Sequence, residues 1–188
     1  MAVVLTSDIQ RFAGLSTDTK PAAAPAGSLF YETDSGLYYI WGGAAWTAMA
    51  KAGPNVSRKT LTLTGAAGLG AVASPTVDLF TVTGTVLIRN IIARCTTDLT
   101  GAGSLSLGVV GSVAGFIAAT LATTIDTDEI WQSATPTAAL LAVPAACKDI
   151  IVAASVNATV SVADITAGVI AFTVIWEPLE AGSTLVAA

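Results

Sequence analysis

Asp126, Asp128 and Glu129 stand together in the stretch "DTDE", a tight group of carboxylates in a chain poor in charge. Clustered carboxylates in a loop are hard oxygen ligands of the type that hold Ca²⁺. The spacing matches only the first part of an EF-hand loop and lacks its glycine and its distal glutamate. The stretch therefore reads as a solvated turn, with Asp126, Asp128 and Glu129 as weak metal candidates. As a glycosidase pair, Asp126 and Asp128 need a sugar cleft, and nothing around them in sequence points to one. The chain has no histidine, which removes Ser-His-Asp and Cys-His catalysis and the usual His-containing zinc sites. Cys95 and Cys147 are far apart and lack a CxxC partner. They read as two buried free thiols, with a bridge between them as the alternative. "GAAGLGAVAS" (65–74) has the glycines of a phosphate loop without its lysine, so it reads as an inter-strand loop. The Asn-X-Ser/Thr patterns at Asn55 and Asn157 are taken as chance matches. No catalytic residue and no cofactor are expected.

A second group of residues points to recognition rather than catalysis. "GSLFYETDSGLYYIWGGAAW", from Gly27 to Trp46, holds all three tyrosines and two of the four tryptophans. Phe30, Tyr31, Tyr38, Tyr39, Trp41 and Trp46 are the candidate interaction residues. Aromatic rings supply the most buried area per residue, so a small element without another core would use them for packing. The alternative is a sugar-stacking platform presented by a hairpin. In a strand alternate residues face opposite sides. Leu37, Tyr39 and Trp41 then share one face and Tyr38 and Ile40 the other, and since both are apolar the strand is predicted to be covered on both sides inside an assembly, where a lone meander covers only one.

These residues need elements to position them. "LFYE", "LYYIW" and "AAWTAM" are strand-like and are separated by the turn sequences "TDSG" and "GG", which predicts a three-stranded meander over 29–49. Residues 1–28, with prolines at 21 and 25, predict an extended arm and a short helix over Ser7–Phe12. Val4, Leu5, Ile9 and Phe12 are expected to dock that arm on a neighbour; a disordered tail is the alternative. "AKAGPNVS" (50–57) reads as a linker. From 58 to 188, strand-like segments follow at 58–64, 76–82, 85–95, 103–110, 115–124, 138–143, 149–156, 158–162 and 168–177. Period-2 alternation in "TLTLT", "LSLGV" and "TVSV" predicts a β-sandwich or jelly-roll-like domain, with Trp131 and Trp176 inside it. The expected fold class is all-β.

Composition limits the partners. Apolar residues make up 53% and charged residues 11% of the 188, where about 25% charged is usual. Mean hydropathy is +0.73, yet no apolar run approaches the ~18–20 residues that span a bilayer. The start "MAVVLTSDIQRF" lacks the basic region and long apolar core of a signal peptide. A surface this poor in charge self-associates unless partners cover it, which points to a homo-oligomer, a trimer by preference, or to a tile of a larger assembly. Net charge is −5 with no Lys/Arg cluster, so neither nucleic acid nor membrane is an expected partner.

"PAGSLFYETDSGLYYIWGGAAW" resembles a short module of tailed-bacteriophage structural proteins: a glycine, "FYETD-G", an aromatic strand and a "G-AW" ending. The rest is similar to phage virion β-sandwich proteins in style, being rich in Ala, Thr, Gly and Val. The resemblance implies a virion component on the outer surface of the particle, a capsid decoration or head-fibre protein that contacts the major capsid protein. It also admits a tail-associated adaptor or receptor-binding protein that recognises a glycan. A bacterial surface or pilin-like β protein is a third reading.

Overall fold

The computed structural model describes residues 9–49, 54–138, 142–180 and 182–188. The protein is all-β, and its chain divides into two compact units, Met1–Gly53 and Pro54–Ala188.

The N-terminal unit contains one sheet of four strands: β1 (Arg11–Gly14), β2 (Leu29–Glu32), β3 (Tyr38–Trp41) and β4 (Trp46–Ala48), in that spatial order. Strands β2, β3 and β4 form the predicted antiparallel meander. The β2–β3 turn closes through Glu32 N–H to Leu37 O, and Gly36 supplies the left-handed residue (φ 70°) that "TDSG" implied. The added strand is β1, which pairs parallel to β2 with Arg11 opposite Leu29 and Ala13 opposite Tyr31. A parallel neighbour requires a long crossover, and residues 15–28 provide it. Their prolines keep them out of a helix. Arg11 and Phe12 are therefore in a strand rather than the expected helix; Ser7 and Asp8 lie outside the described residues. Over residues 9–28, the stretch expected to be an extended docking arm is part of the chain's own sheet and its covering. Val4 and Leu5 also lie outside the described residues.

The C-terminal unit is a sandwich of two antiparallel sheets. Its strands are β5 (Asn55–Leu63), β6 (Thr76–Thr83), β7 (Val86–Thr100), β8 (Ser104–Val109), β9 (Ser112–Leu121), β10 (Ile150–Val152), β11 (Val156–Ser161), β12 (Ala167–Pro178) and β13 (Thr184–Ala187). One sheet has the order β10-β7-β12-β5 and the other β13-β6-β11-β8-β9. Period-2 alternation places one face of each strand inside. Ile170, Phe172, Val174 and Trp176 of β12 meet Leu105, Leu107, Val156, Ala158 and Val160 from the other sheet in one core. Trp176 Nε1 donates to Ser57 Oγ at 3.0 Å, so its polar edge is also satisfied.

Three expectations need correction, and the glycine-rich stretch keeps the inter-strand role read for it. Strand β5 begins at Asn55, so the last residues of the expected linker already pair with β12. The segment 149–156 is split into β10 and the start of β11, because Ala153–Ser155 lies between the two pairings. The strand expected at 138–143 falls partly outside the described residues; Ala142–Pro144 is not strand and Ala145–Cys147 is a single 3-10 turn. The glycine-rich stretch 65–74 joins β5 to β6, and Gly70 is required there: its φ is 119° and an added Cβ would collide with the carbonyl of Ile165.

Candidate interaction surface

The four-stranded sheet separates its aromatics by face. Phe12, Phe30, Glu32, Tyr39, Trp41 and Trp46 alternate onto one side, and the crossover 15–28 supplies part of their surroundings. Trp41 is only 7% exposed. Its ring centre lies 5.4 Å from that of Trp46, which meets Phe12 and Phe30 edge-on at 6.0 Å each. Trp46 Nε1 donates to Pro21 O at 2.8 Å, pinning the crossover to the aromatic layer.

The polar residues of "FYETD" fasten the same crossover. Glu32 sits at an inward position beside Phe30 and is 3% exposed. An isolated buried carboxylate would be costly. Lys20 on the crossover answers it, with Nζ 2.7 Å from Glu32 Oε1, and Ser35 Oγ donates to Oε2 at 2.5 Å. The Lys20 bond first, and the Ser35 bond after it, hold the Glu32 carboxyl below the usual glutamate range. The Lys20 ammonium also lies 4.2 Å from the Tyr39 ring centre and 5.1 Å from that of Phe30, two cation–π contacts. Asp34 accepts from both the N–H and the hydroxyl of Ser16, at 2.8 and 2.6 Å, and the hydroxyl contact is the main reason its pKa is lowered. Sequence reasoning missed Lys20 and Glu32. The signal was present in Glu32, a charge in an otherwise apolar alternation whose partner had to come from elsewhere.

Among the described residues the other face of the sheet is open. Arg11, Ala13, Leu29, Tyr31, Tyr38, Ile40 and Thr47 alternate onto it. Tyr38 is 49% and Ile40 38% exposed, so the single chain covers strand β3 on one side, and the second cover expected of it falls to an assembly. The Tyr31 and Tyr38 rings lie 4.7 Å apart at 31°, and with Arg11, Phe12 and Leu29 they line a groove of about 380 Å³. Of the expected interaction residues, Phe30, Tyr39, Trp41 and Trp46 thus pack the unit, whereas Tyr31 and Tyr38 present rings outward. Ile9, expected on the docking arm, is exposed, and Phe12 contacts Trp46.

The sandwich carries its own open apolar surface where edge strands β9 and β10 come near each other. Phe116, Val109, Ile150, Ile151 and Val152 line a groove of about 250 Å³ there. Ile151 is 67% and Val110 72% exposed.

The acidic turn is occupied by local bonds. Asp128 pairs with Arg94 at 2.7 Å and Glu129 accepts from the Asp126 N–H at 3.0 Å. Among the described residues no group of three or more His, Cys, Asp or Glu is placed to hold a metal ion. Cys95 and Cys147 are both buried and free; burial pushes the Cys147 thiol up to about 11, the direction of an unreactive thiol. Among the described residues no helix is long and apolar enough to cross a membrane. No protein-family model matches the chain, and no curated protein matches it in sequence.

Proposed function

We propose that this protein is a non-enzymatic structural component of a tailed-bacteriophage virion, a capsid decoration or head-fibre protein on the outer surface of the particle. The N-terminal unit is the docking element, with the major capsid protein as its partner, and the sandwich unit is the homo-oligomerising element. The observation that carries this reading is the open, charge-poor face around Tyr38 and Ile40 on a unit whose other face is already fully furnished with a core. The apolar surface at the β9 and β10 edges supports self-association, since monomers rarely expose such patches without a partner. The short aromatic module points to the phage context. An acidic chain without a basic cluster fits an outward-facing role and has no footprint for nucleic acid.

Self-association has a direct test. Sedimentation velocity in dilute neutral buffer is expected to give a homotrimer. Ile151→Asp, which places a charge on an exposed position, is expected to shift the population toward monomer while the melting curve of the sandwich stays in place. A wild-type chain that is a soluble monomer overturns the oligomeric part of the proposal.

A second reading, a tail-associated adaptor or receptor-binding protein that recognises a glycan, is favoured by one particular feature: the groove between Arg11, Tyr31 and Tyr38.

A further inference from the structure

We propose that the groove on the open face of the N-terminal sheet binds a carboxylated sugar, with the pyranose ring against Tyr31 and Tyr38 and the carboxylate on the guanidinium of Arg11. The inference rests on the glycan-recognition reading, in which this face meets a sugar in place of the capsid protein, and names the ligand class that reading leaves open.

Register places the groups. Arg11 is opposite Leu29 on β1 and β2, and Tyr31 is directly opposite Tyr38 on β2 and β3, so all four side chains rise from one side of the sheet. Facing strands set the tyrosines close enough for a joint apolar surface, and their ring centres are 4.7 Å apart. Two ring faces with hydroxyl edges suit a pyranose, which has an apolar C–H face and a polar rim. No hydrogen bond within the described residues engages either phenol, so both remain free for a ligand hydroxyl.

The charge at the groove selects among sugars. Arg11 is exposed, and the ion pairs among the described residues belong to Lys20, Arg89 and Arg94 instead. The nearby carboxylates are engaged elsewhere: Glu32 with Lys20 on the opposite face, Asp34 with Ser16, and Asp18 with the Leu15 N–H at 2.7 Å. The five donors of Arg11 form a fork that matches a carboxylate in bidentate fashion. A purely apolar occupant would desolvate that cation without a counter-charge. A nucleic-acid strand requires several phosphate contacts, and among the described residues the open face offers one cation. An anionic pyranose satisfies the rings and the charge together, and a groove of about 380 Å³ limits the ligand to a short segment.

Saturation-transfer difference NMR on the full chain tests this, with D-glucuronic acid and N-acetylneuraminic acid as acidic probes and D-glucose as the neutral control. The expected result is transfer to ring protons of at least one acid, with glucose at least about tenfold weaker in affinity, the scale of one charge-assisted bidentate contact. Arg11→Gln should remove the preference for the acid. Arg11→Lys, which keeps the charge and loses the fork, should fall between. Tyr38→Ala should weaken acid and neutral sugar alike. Arg11 is exposed, so the curves of its variants are expected to overlay that of the parent, while Tyr38→Ala loses its pairing with Tyr31 and shifts slightly; melting curves below the unfolding transition thus separate loss of the site from loss of the fold. No transfer to either acid or to glucose overturns the proposal and the glycan reading together, and transfer to glucose alone overturns only the proposal. Equal binding of acid and glucose, unchanged by Arg11→Gln and abolished by Tyr38→Ala, overturns the acidic selectivity alone and leaves the glycan reading standing.

Discussion

Trp41→Ala is expected to destabilise the N-terminal unit by about 3–5 kcal/mol, the range for deleting a large buried aromatic side chain. Trp41 is 7% exposed and touches Trp46, which in turn contacts Phe12, Phe30 and the carbonyl of Pro21. Removing it opens a cavity at the centre of that layer and loosens the ring that holds the crossover. The unit is small, and small units bury too little surface to absorb such a loss. Marginal stabilities of roughly 0.05–0.15 kcal/mol per residue mean that the variant should leave this unit largely unfolded at room temperature. Near-ultraviolet circular dichroism along a urea series reads the change. Tyr38→Ala on the same strand should shift stability by about 1 kcal/mol or less, since the side chain is half-exposed and its loss removes chiefly the cross-strand pairing with Tyr31. A Trp41→Ala protein with an unchanged transition would mean that Trp41 is an exposed platform residue and that the covered face does not hold the unit together.

In the sandwich, Trp131→Ala is expected to cost about 3–5 kcal/mol, toward the upper end of that range. Trp131 is fully buried, meets Phe172 at 6.5 Å in an edge-to-face arrangement and donates from Nε1 to Thr120 Oγ1 at 2.9 Å. It lies in the long connection between β9 and β10, whose other ties to the strands include Trp131 N–H to Ala93 O and Cys95 N–H to Glu129 O. Without the indole, that connection loses its apolar anchor. Trp131→Phe keeps most of the apolar area and forfeits the hydrogen bond, so it should cost about 1–2 kcal/mol. Denaturant midpoints for the three proteins rank the effects. A midpoint for Trp131→Ala equal to that of the parent would show that the connection is held by its backbone bonds alone.

What the sequence disclosed follows from the range of each interaction. Alternation in "TLTLT" and "GVIAFTVIW", and the turn residues of "TDSG", are local signals, and they mark β5, β12 and the β2–β3 turn in the structure. The all-β class and the aromatic meander were legible for that reason. Strand β1 was not, because a parallel pairing joins residues separated by a crossover and leaves no short-range mark on "RFAG". The Lys20–Glu32 pair was hidden in the same way: the two residues are twelve positions apart and meet only once the crossover is laid over the sheet. The division of the tyrosines was half visible. Alternation assigned Tyr38 and Tyr39 to opposite faces, but which face receives a cover depends on where residues 15–28 go. Among the described residues of the region 122–149 the chain packs through Trp131 and short turns instead of a strand ladder, and periodicity has little to register there.

The central claim, that the open face of the N-terminal unit docks the protein on the outside of a virus particle, is most directly tested by immunogold electron microscopy of particles from cells that make the full-length chain. The account predicts gold on the outer surface of the particles. It also predicts that label is lost for a Tyr38→Asp, Ile40→Asp chain whose near-ultraviolet circular dichroism shows the N-terminal unit still folded at the labelling temperature. Unlabelled particles with the parent chain left in the soluble fraction, or undiminished label with the doubly substituted chain, would contradict it.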